Sequence, residues 1–262
     1  VKLQPKKSLG QNFLTDPNTA RRIVRALDPQ PGESIVEIGA GTGMLTRYLE
    51  ASGAEIIAVE IDKRAITILN ELTRDFPNLR ILQHDILHID FRSLGLRTLP
   101  CRIIGNLPYY LTSQILFHLF DQADVITDAV LMMQKEVAER LVAHPRTKQY
   151  GILSVMTQVY CDVAMLFTVP PTVFTPRPQV TSAVLHLSFE NSRVAKIRDI
   201  DAFRRIVRGT FGKRRKTMLN CLKYMKIADE LPDSLTQYLG RRPEELTIDD
   251  FIFLANEITT ND

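Results

Sequence analysis

Asn106-Leu107-Pro108-Tyr109 follows directly on the apolar run Cys101-Arg102-Ile103-Ile104-Gly105. A short β-branched run that ends in a polar residue and a Pro reads as a buried strand whose carboxyl end opens into a turn. In open α/β sheets, ligands bind outside the carboxyl ends of the strands. The order amide, apolar, Pro, aromatic suits one task there. An amide oxygen and a backbone carbonyl accept hydrogen bonds from an exocyclic amine while the ring stacks on the base that carries it. The bland alternative is a tight turn whose Asn caps its own backbone. Four residues alone do not choose between the two.

Three earlier segments bear on the choice. Gly39-Ala40-Gly41-Thr42-Gly43 follows the apolar run Ser34–Ile38 and lets the backbone approach a ligand closely, but a dinucleotide fingerprint wants Gly or Ala where this chain has Met44. The pattern suits an adenosine ligand with an amino-acid group and no pyrophosphate, namely S-adenosylmethionine. A tight strand-to-helix turn is the alternative. Glu60 closes the run 55–60, 21 residues after Gly39, where an acid can accept from both ribose hydroxyls. Asp85 closes the run 80–85, where a carboxylate can accept from the adenine amino group. With Asn106, that places one polar residue at the end of each of four successive strands, all on one rim of a sheet.

The elements that must carry these residues are legible from periodicity. Asp16 is a good N-cap and Pro17 a good first-turn residue, with Ala20, Ile23, Val24 and Leu27 on one helical face. Strands are predicted at 34–38, 55–60, 80–85, 101–105 and 129–134. Helices alternate with them at 44–52, 63–75 (Ile66, Leu69 and Leu72 inward), 112–120 and 136–142. This rhythm implies right-handed crossovers and a parallel sheet. A further helix is expected over 151–160. Runs 162–168 and 180–189, joined by a proline-dense loop, read as an antiparallel pair at the sheet edge. After about 190 only helical patterns remain, at 199–209, 214–226, 234–239 and 247–258. The expected fold is therefore α/β, a doubly wound, mostly parallel seven-stranded sheet, followed by a small all-helical C-terminal domain. The expected division is 1–190, with 1–15 an extended basic arm, and 191–262.

Composition narrows the class. The chain has 262 residues, 45% of them hydrophobic, enough for one large domain and one small one. Cys101, Cys161 and Cys221 lie far apart with no CxxC spacing, so neither a disulfide framework nor a metal site is indicated. No apolar run follows Lys2, Lys6 and Lys7, and no stretch reaches the length of a membrane span, so a cytoplasmic protein without a membrane partner is expected. The net charge is only +3, but twelve Lys/Arg stand against two acids between Arg193 and Lys226, and six against two over 1–28. Such clustering is the footprint of a nucleic-acid binder, although solvated helix faces produce it as well.

The arm Ser8-Leu9-Gly10-Gln11-Asn12-Phe13-Leu14, the turn Glu37-Ile38-Gly39-Ala40-Gly41-Thr42-Gly43, the tetrapeptide 106–109 and the segment Phe174-Thr175-Pro176-Arg177-Pro178-Gln179-Val180-Thr181-Ser182 together resemble the ribosomal RNA adenine N6,N6-dimethyltransferases. The likeness runs on through Arg214-Arg215-Lys216-Thr217 and Arg242-Pro243-Glu244-Glu245-Leu246, and it is to the KsgA type. What the resemblance implies is a Rossmann-like class I fold that takes S-adenosylmethionine and dimethylates two adjacent adenosines near the 3′ end of small-subunit rRNA in an immature 30S particle. Carried to matching positions, it implies cofactor contact by Gln11, Asn12, Leu14, Gly39, Glu60, Asp85 and Asn106, with Gly41 in the same turn. It implies target-base contact by Asn106, Leu107, Pro108, Tyr109 and Phe174. The basic residues Arg214, Arg215 and Lys216 are the expected phosphate contacts, no metal is required, and a monomer is expected.

In that scheme the Asn106 oxygen and the carbonyl of Leu107 or Pro108 accept the two N–H bonds of the amine, Tyr109 stacks on one face of the base and Phe174 closes the other. A plug for the proline-rich loop is the bland reading of Phe174. Two rivals differ in function. One is the Erm type, which methylates large-subunit rRNA but usually carries Ile where this chain has Leu107; the other is a non-catalytic assembly or transcription factor, against which intact Asn106, Pro108, Tyr109 and Glu60 argue.

Overall fold

The computed structural model describes residues 10–227 and 231–259. Residues 1–9 of the expected arm, Ser8 and Leu9 among them, lie outside the described residues.

Strand β1 (Phe13–Leu14) is followed by α1 (Pro17–Leu27), where the Asp16 side chain accepts from the Thr19 N–H and the buried face is Ala20, Ile23, Val24 and Leu27. Strand β2 (Ser34–Ile38) is buried at every position, as a central parallel strand with both faces covered must be. Helix α2 is shorter than the expected 44–52: it spans Thr46–Leu49, with a 3-10 turn after it, because positive φ at Gly39, Gly41 and Gly43 keeps the preceding backbone out of helical geometry. Strand β3 (Glu55–Glu60) leads to α3 (Lys63–Leu72), capped by Asp62. That helix stops three residues before the expected 75. Thr73 turns its hydroxyl back on the Leu69 carbonyl at 2.6 Å, so Ala65 and Leu69 face inward while Leu72 is 37% exposed.

Strands β4 (Leu79–Gln83) and β5 (Cys101–Asn106), helix α4 (Thr112–Phe120) and strand β6 (Ile126–Gln134) complete the alternating part. After α5 (Lys135–Leu141) and α6 (Ile152–Tyr160) come β7 (Asp162–Val169), β8 (Phe174–Thr175) and β9 (Ser182–Ser188). The main sheet has seven strands in the order β4-β3-β2-β5-β6-β9-β7. Pairings from β4 to β6 are parallel, and β9 runs antiparallel to β6, with Gln134 opposite Ser182. Chain order reverses between β2 and β5, the switch point at which such sheets open a crevice.

Two units divide the chain: residues up to 138 with 163–190, and 139–162 with 191 onward. The division differs from the expected 1–190 and 191–262 because the segment 139–162 is tied to the later helices. Buried Tyr150 donates its hydroxyl to the Leu246 carbonyl at 2.9 Å, and the Arg193 N–H bonds the Val159 carbonyl at 2.7 Å. The second unit also contains α7 (Ile200–Phe211), α8 (Met218–Tyr224), α9 (Thr236–Leu239) and α10 (Ile248–Thr259). The helix expected over 214–226 starts only at Met218, since Thr217 is extended with ψ 159° and Arg214–Lys216 lie in turns.

Gly105 stands opposite Ile38 in the β2–β5 register, and a Cβ at position 105 would come within 2.8 Å of the Ile38 carbonyl oxygen. Overpacking of this kind costs about 1–3 kcal/mol. Gly105→Ala is therefore expected to lower the urea midpoint with an unchanged slope; an unmoved midpoint would mean that the two strands part freely at this end.

Candidate active site

The parallel registers bring the ends of β2, β3, β4 and β5 to one rim, where a cavity of about 250 Å³ opens. Gln11, Asn12, Gly39, Gly41, Glu60, Asp85, Asn106, Leu107, Pro108 and Tyr109 all line it, so ten of the residues expected to contact cofactor or base are brought together. Leu14 lines a smaller adjoining cavity that shares Phe13, Gly39, Gly41 and Asn106 with the first. Phe174 lines neither. It pairs with Leu14 in the β1–β8 ladder and is 4% exposed within the apolar cluster around Ile23, Val24 and Val184, so the expectation that it closes one face of the base is not met by this arrangement. A large apolar ring in a polar, proline-rich loop is drawn to the core by its own hydrophobicity.

Each acidic side chain on the rim has a defined set of partners. Glu60 accepts from Gly41 N–H at 2.8 Å through Oε2, and from Ile61 and Asp62 N–H at 2.9 and 2.8 Å through Oε1. A carboxylate offers about four lone-pair positions. Three of these are taken by backbone N–H groups here, and about one remains for a further donor. Asp85 lies two residues beyond the end of β4 rather than at it, and caps a short turn through the Leu87 N–H at 3.0 Å. Asp62, which the sequence did not single out, holds Gln11 Nε2 at 3.1 Å, and its hydrogen-bonded partner Arg64 keeps its carboxyl far below the usual carboxylate range.

The tetrapeptide is held from several directions. Asn106 donates Nδ2 to the Asn12 carbonyl at 3.0 Å, which leaves Oδ1 as the amide atom without a partner among the described residues. Leu107 N–H bonds the Met132 carbonyl at 2.9 Å. The Pro108 carbonyl already accepts from Leu111 N–H at 3.0 Å and from the Thr112 hydroxyl at 3.2 Å, while that of Leu107 accepts nothing among the described residues. Of the two carbonyls considered for the amine, Leu107 is thus the one available. Tyr109, half-buried, shares a hydrogen bond with the Ser182 hydroxyl at 2.7 Å, and burial raises its phenol pKa.

The comparisons with known proteins fit this geometry. A family model described as ribosomal RNA adenine dimethylase matches residues 2–258. The chain belongs to the ribosomal RNA adenine dimethylase family. A protein called ribosomal RNA small subunit methyltransferase A from Salinibacter ruber is 44% identical over 98% of this chain and 86% of its own length; one of the same name from Xanthomonas campestris pv. campestris is 42% identical over 96% and 95%. A dimethyladenosine transferase from Plasmodium falciparum superposes with a TM-score of 0.78 at 26% identity, covering 92% of this chain and 95% of that one.

The dimethylase uses S-adenosylmethionine, and its residues fit that molecule: a bare glycine turn, two carboxylates for polar groups of a nucleoside, and apolar Ile38, Ile61, Ile86 and Ile115 between them. Arg214, Arg215 and Lys216 lie in the other unit. Arg214 is bound to Glu244 and donates to the Thr147 and Lys148 carbonyls at 2.9 and 2.8 Å, while Arg215 and Lys216 are exposed. Ser182, 73 residues from Tyr109, escaped sequence reasoning. Its only signal was a small polar residue opening an apolar strand.

Two expectations follow for the dimethylase. Ser182→Ala and Tyr109→Phe each cut the same hydrogen bond, so both lower methyl transfer by a similar factor and the double variant adds little; additive losses in a double-mutant cycle would show independent roles. Glu37 lines the smaller cavity, is 2% exposed and accepts from the Thr46 hydroxyl at 2.6 Å; burial, with a smaller push from Glu60, raises its pKa from 4.5 to about 8. A raised carboxyl pKa means the folded state holds a proton that the unfolded state loses, so stability falls as pH rises from about 4.5 to about 8. Glu37→Gln should abolish that decline, read as a melting-temperature advantage over the parent that widens from pH 5 to pH 8.

Proposed function

We propose that this dimethylase transfers methyl groups to the N6 amines of two adjacent adenosines near the 3′ end of small-subunit rRNA, on an immature 30S particle, acting as a cytoplasmic monomer. The observation that carries the reading is the pair of unengaged acceptors at one strand end, Asn106 Oδ1 and the Leu107 carbonyl, beside the glycine turn. The names of the 42–44% identical relatives support the small-subunit substrate. No helix among the described residues is long and apolar enough to cross a membrane, and no group of three or more His, Cys, Asp or Glu among them is placed to hold a metal ion.

An adenine amine is a poor nucleophile because its lone pair is delocalised into the ring. Two acceptors fixed before the substrate arrives draw its N–H bonds out of the ring plane and free the lone pair, and their preorganisation is what makes this effective. S-adenosylmethionine, when bound, supplies a methyl on a positively charged sulfur. Tyr109, pinned through its hydroxyl, offers a ring of fixed orientation for stacking on the base. Because the group left behind would be a neutral thioether, the site needs no ionised base, and the amine proton would depart afterwards to water. After one transfer the amine has a single N–H, and one of the two acceptors loses its partner. The phosphate backbone around the target is assigned to the exposed basic residues Arg215 and Lys216, with Arg214 bracing their turn.

The test is tritiated methyl transfer onto small and large subunits from cells that lack the modification, followed by nucleoside analysis. Dimethyladenosine in small subunits alone is expected, and Asn106→Ala should reduce it by roughly 10²-fold or more while cofactor affinity falls far less. Label in large subunits, or full incorporation by the variant, overturns the reading.

A further inference from the structure

α1 buries Ala20, Ile23, Val24 and Leu27 and leaves Asn18, Arg21, Arg22 and Arg25 exposed. At 3.6 residues per turn, positions 21, 22 and 25 share one face. Arg64, Arg92, Arg102 and Arg214 are each paired with a carboxylate, whereas no ion pair of Arg21, Arg22 or Arg25 occurs among the described residues. Asp16, at the start of the helix, offsets the charge of Arg21 in part, while Arg22 and Arg25 have no carboxylate bound to them among the described residues.

Two of them are nevertheless held in place. The Arg22 guanidinium lies 3.7 Å from the centre of the Phe167 ring, and that of Arg21 lies 4.9 Å from the centre of the Tyr48 ring. Arg21 also donates to Asn18 Oδ1 at 3.2 Å, an uncharged partner. Stacking on a ring fixes the guanidinium plane without neutralising it, and this lowers the ordering cost of binding an oxyanion with the fork of N–H groups. The helix follows closely in sequence on the cavity wall: Asn12 and Phe13 line the cavity, and Pro17 opens the helix.

We propose that the Arg21, Arg22 and Arg25 face of α1 binds phosphates of the RNA that flanks the base entering the Asn106 cavity. The proposal rests on the reading above and adds a backbone contact carried by the sheet unit itself, separate from the basic turn of the helical unit. RNA is favoured over an anionic lipid surface because the exposed positions of this helix carry no large apolar residue to enter a bilayer interface, only Pro17, Asn18 and the three arginines before Asp28. Phosphate contacts release counterions, which gives a signature that ordinary surface charge lacks.

The experiment measures binding of the full chain to unmethylated small-subunit particles from about 50 to 200 mM salt, alongside its melting temperature. For Arg21→Gln/Arg22→Gln/Arg25→Gln the slope of log affinity against log salt should shrink by about two, since each single-strand contact contributes roughly 0.7. The triple lysine variant should restore the slope. Arg25 has no ring contact among the described residues, so Arg25→Gln alone should shrink the slope by roughly 0.7 with no change in melting temperature, and it remains informative if the triple variant folds poorly. An unchanged slope overturns the proposal, and so does weakened binding at unchanged slope, which would indicate packing rather than phosphate contact. Binding to vesicles of anionic phospholipid that the triple variant loses, with particle binding intact, would assign the face to lipid instead. Failure of the parent chain to bind particles at all would remove the functional reading, and this proposal with it.

Discussion

The close approach of β2 and β5 at the point where strand order reverses is the constraint on which the site depends. A bare backbone at Gly105 lets the strand lie against the Ile38 carbonyl, and the two chains then diverge into Gly39 on one side and Asn106 on the other. Gly39 and Asn106 thus come from the ends of neighbouring strands and line one cavity, with Glu60 at the end of β3 and Asp85 just past β4. A parallel sheet with buried faces supplies the stiffness that loop residues alone would lack.

Around that crevice, backbone groups settle which side-chain atoms remain free. The Asn12 carbonyl takes one end of the Asn106 amide, and the turn itself consumes the Pro108 carbonyl. Glu60 spends most of its acceptor capacity on the glycine turn and on its own strand end. It is therefore as much a brace for the backbone as a group for binding. Glu37 supplies a different device, a carboxyl buried beside the cavity whose charge is suppressed by its surroundings over much of the physiological range.

Local signals carried most of this to the surface of the sequence. Asp16 and Pro17 marked the start of α1, and the apolar spacing identified its buried face residue by residue. The rim of four strand ends was readable because each strand was bounded by a polar or glycine residue. What stayed hidden depended on partners far away in the chain. Nothing near Tyr109 announces Ser182, and two-residue strands such as β1 and β8 are too short to show a period. Phe174 packs in one cluster with Leu14 and Val184 as well as Val169 and Val173, and the partners from distant segments leave no mark in its local sequence. A helical pattern over 151–160 suits either unit, so the transfer of 139–162 to the helical unit left no trace in periodicity.

Residues 10–13 of the arm form part of the cavity wall. Among the described residues this stretch is held by, among others, the Phe13–Leu14 ladder to Phe174–Thr175, two bonds from Thr15 to the Val173 carbonyl, and the contacts of Gln11 and Asn12. A short stretch so tied, residues 10–15, opens at smaller cost than a strand of the main sheet, because local opening draws on the least protected hydrogen bonds. Undoing the Asn12 bond also releases the Asn106 amide from its fixed orientation. One hydrogen bond thus ties the order of a short stretch of chain to the aim of an amide 94 residues away.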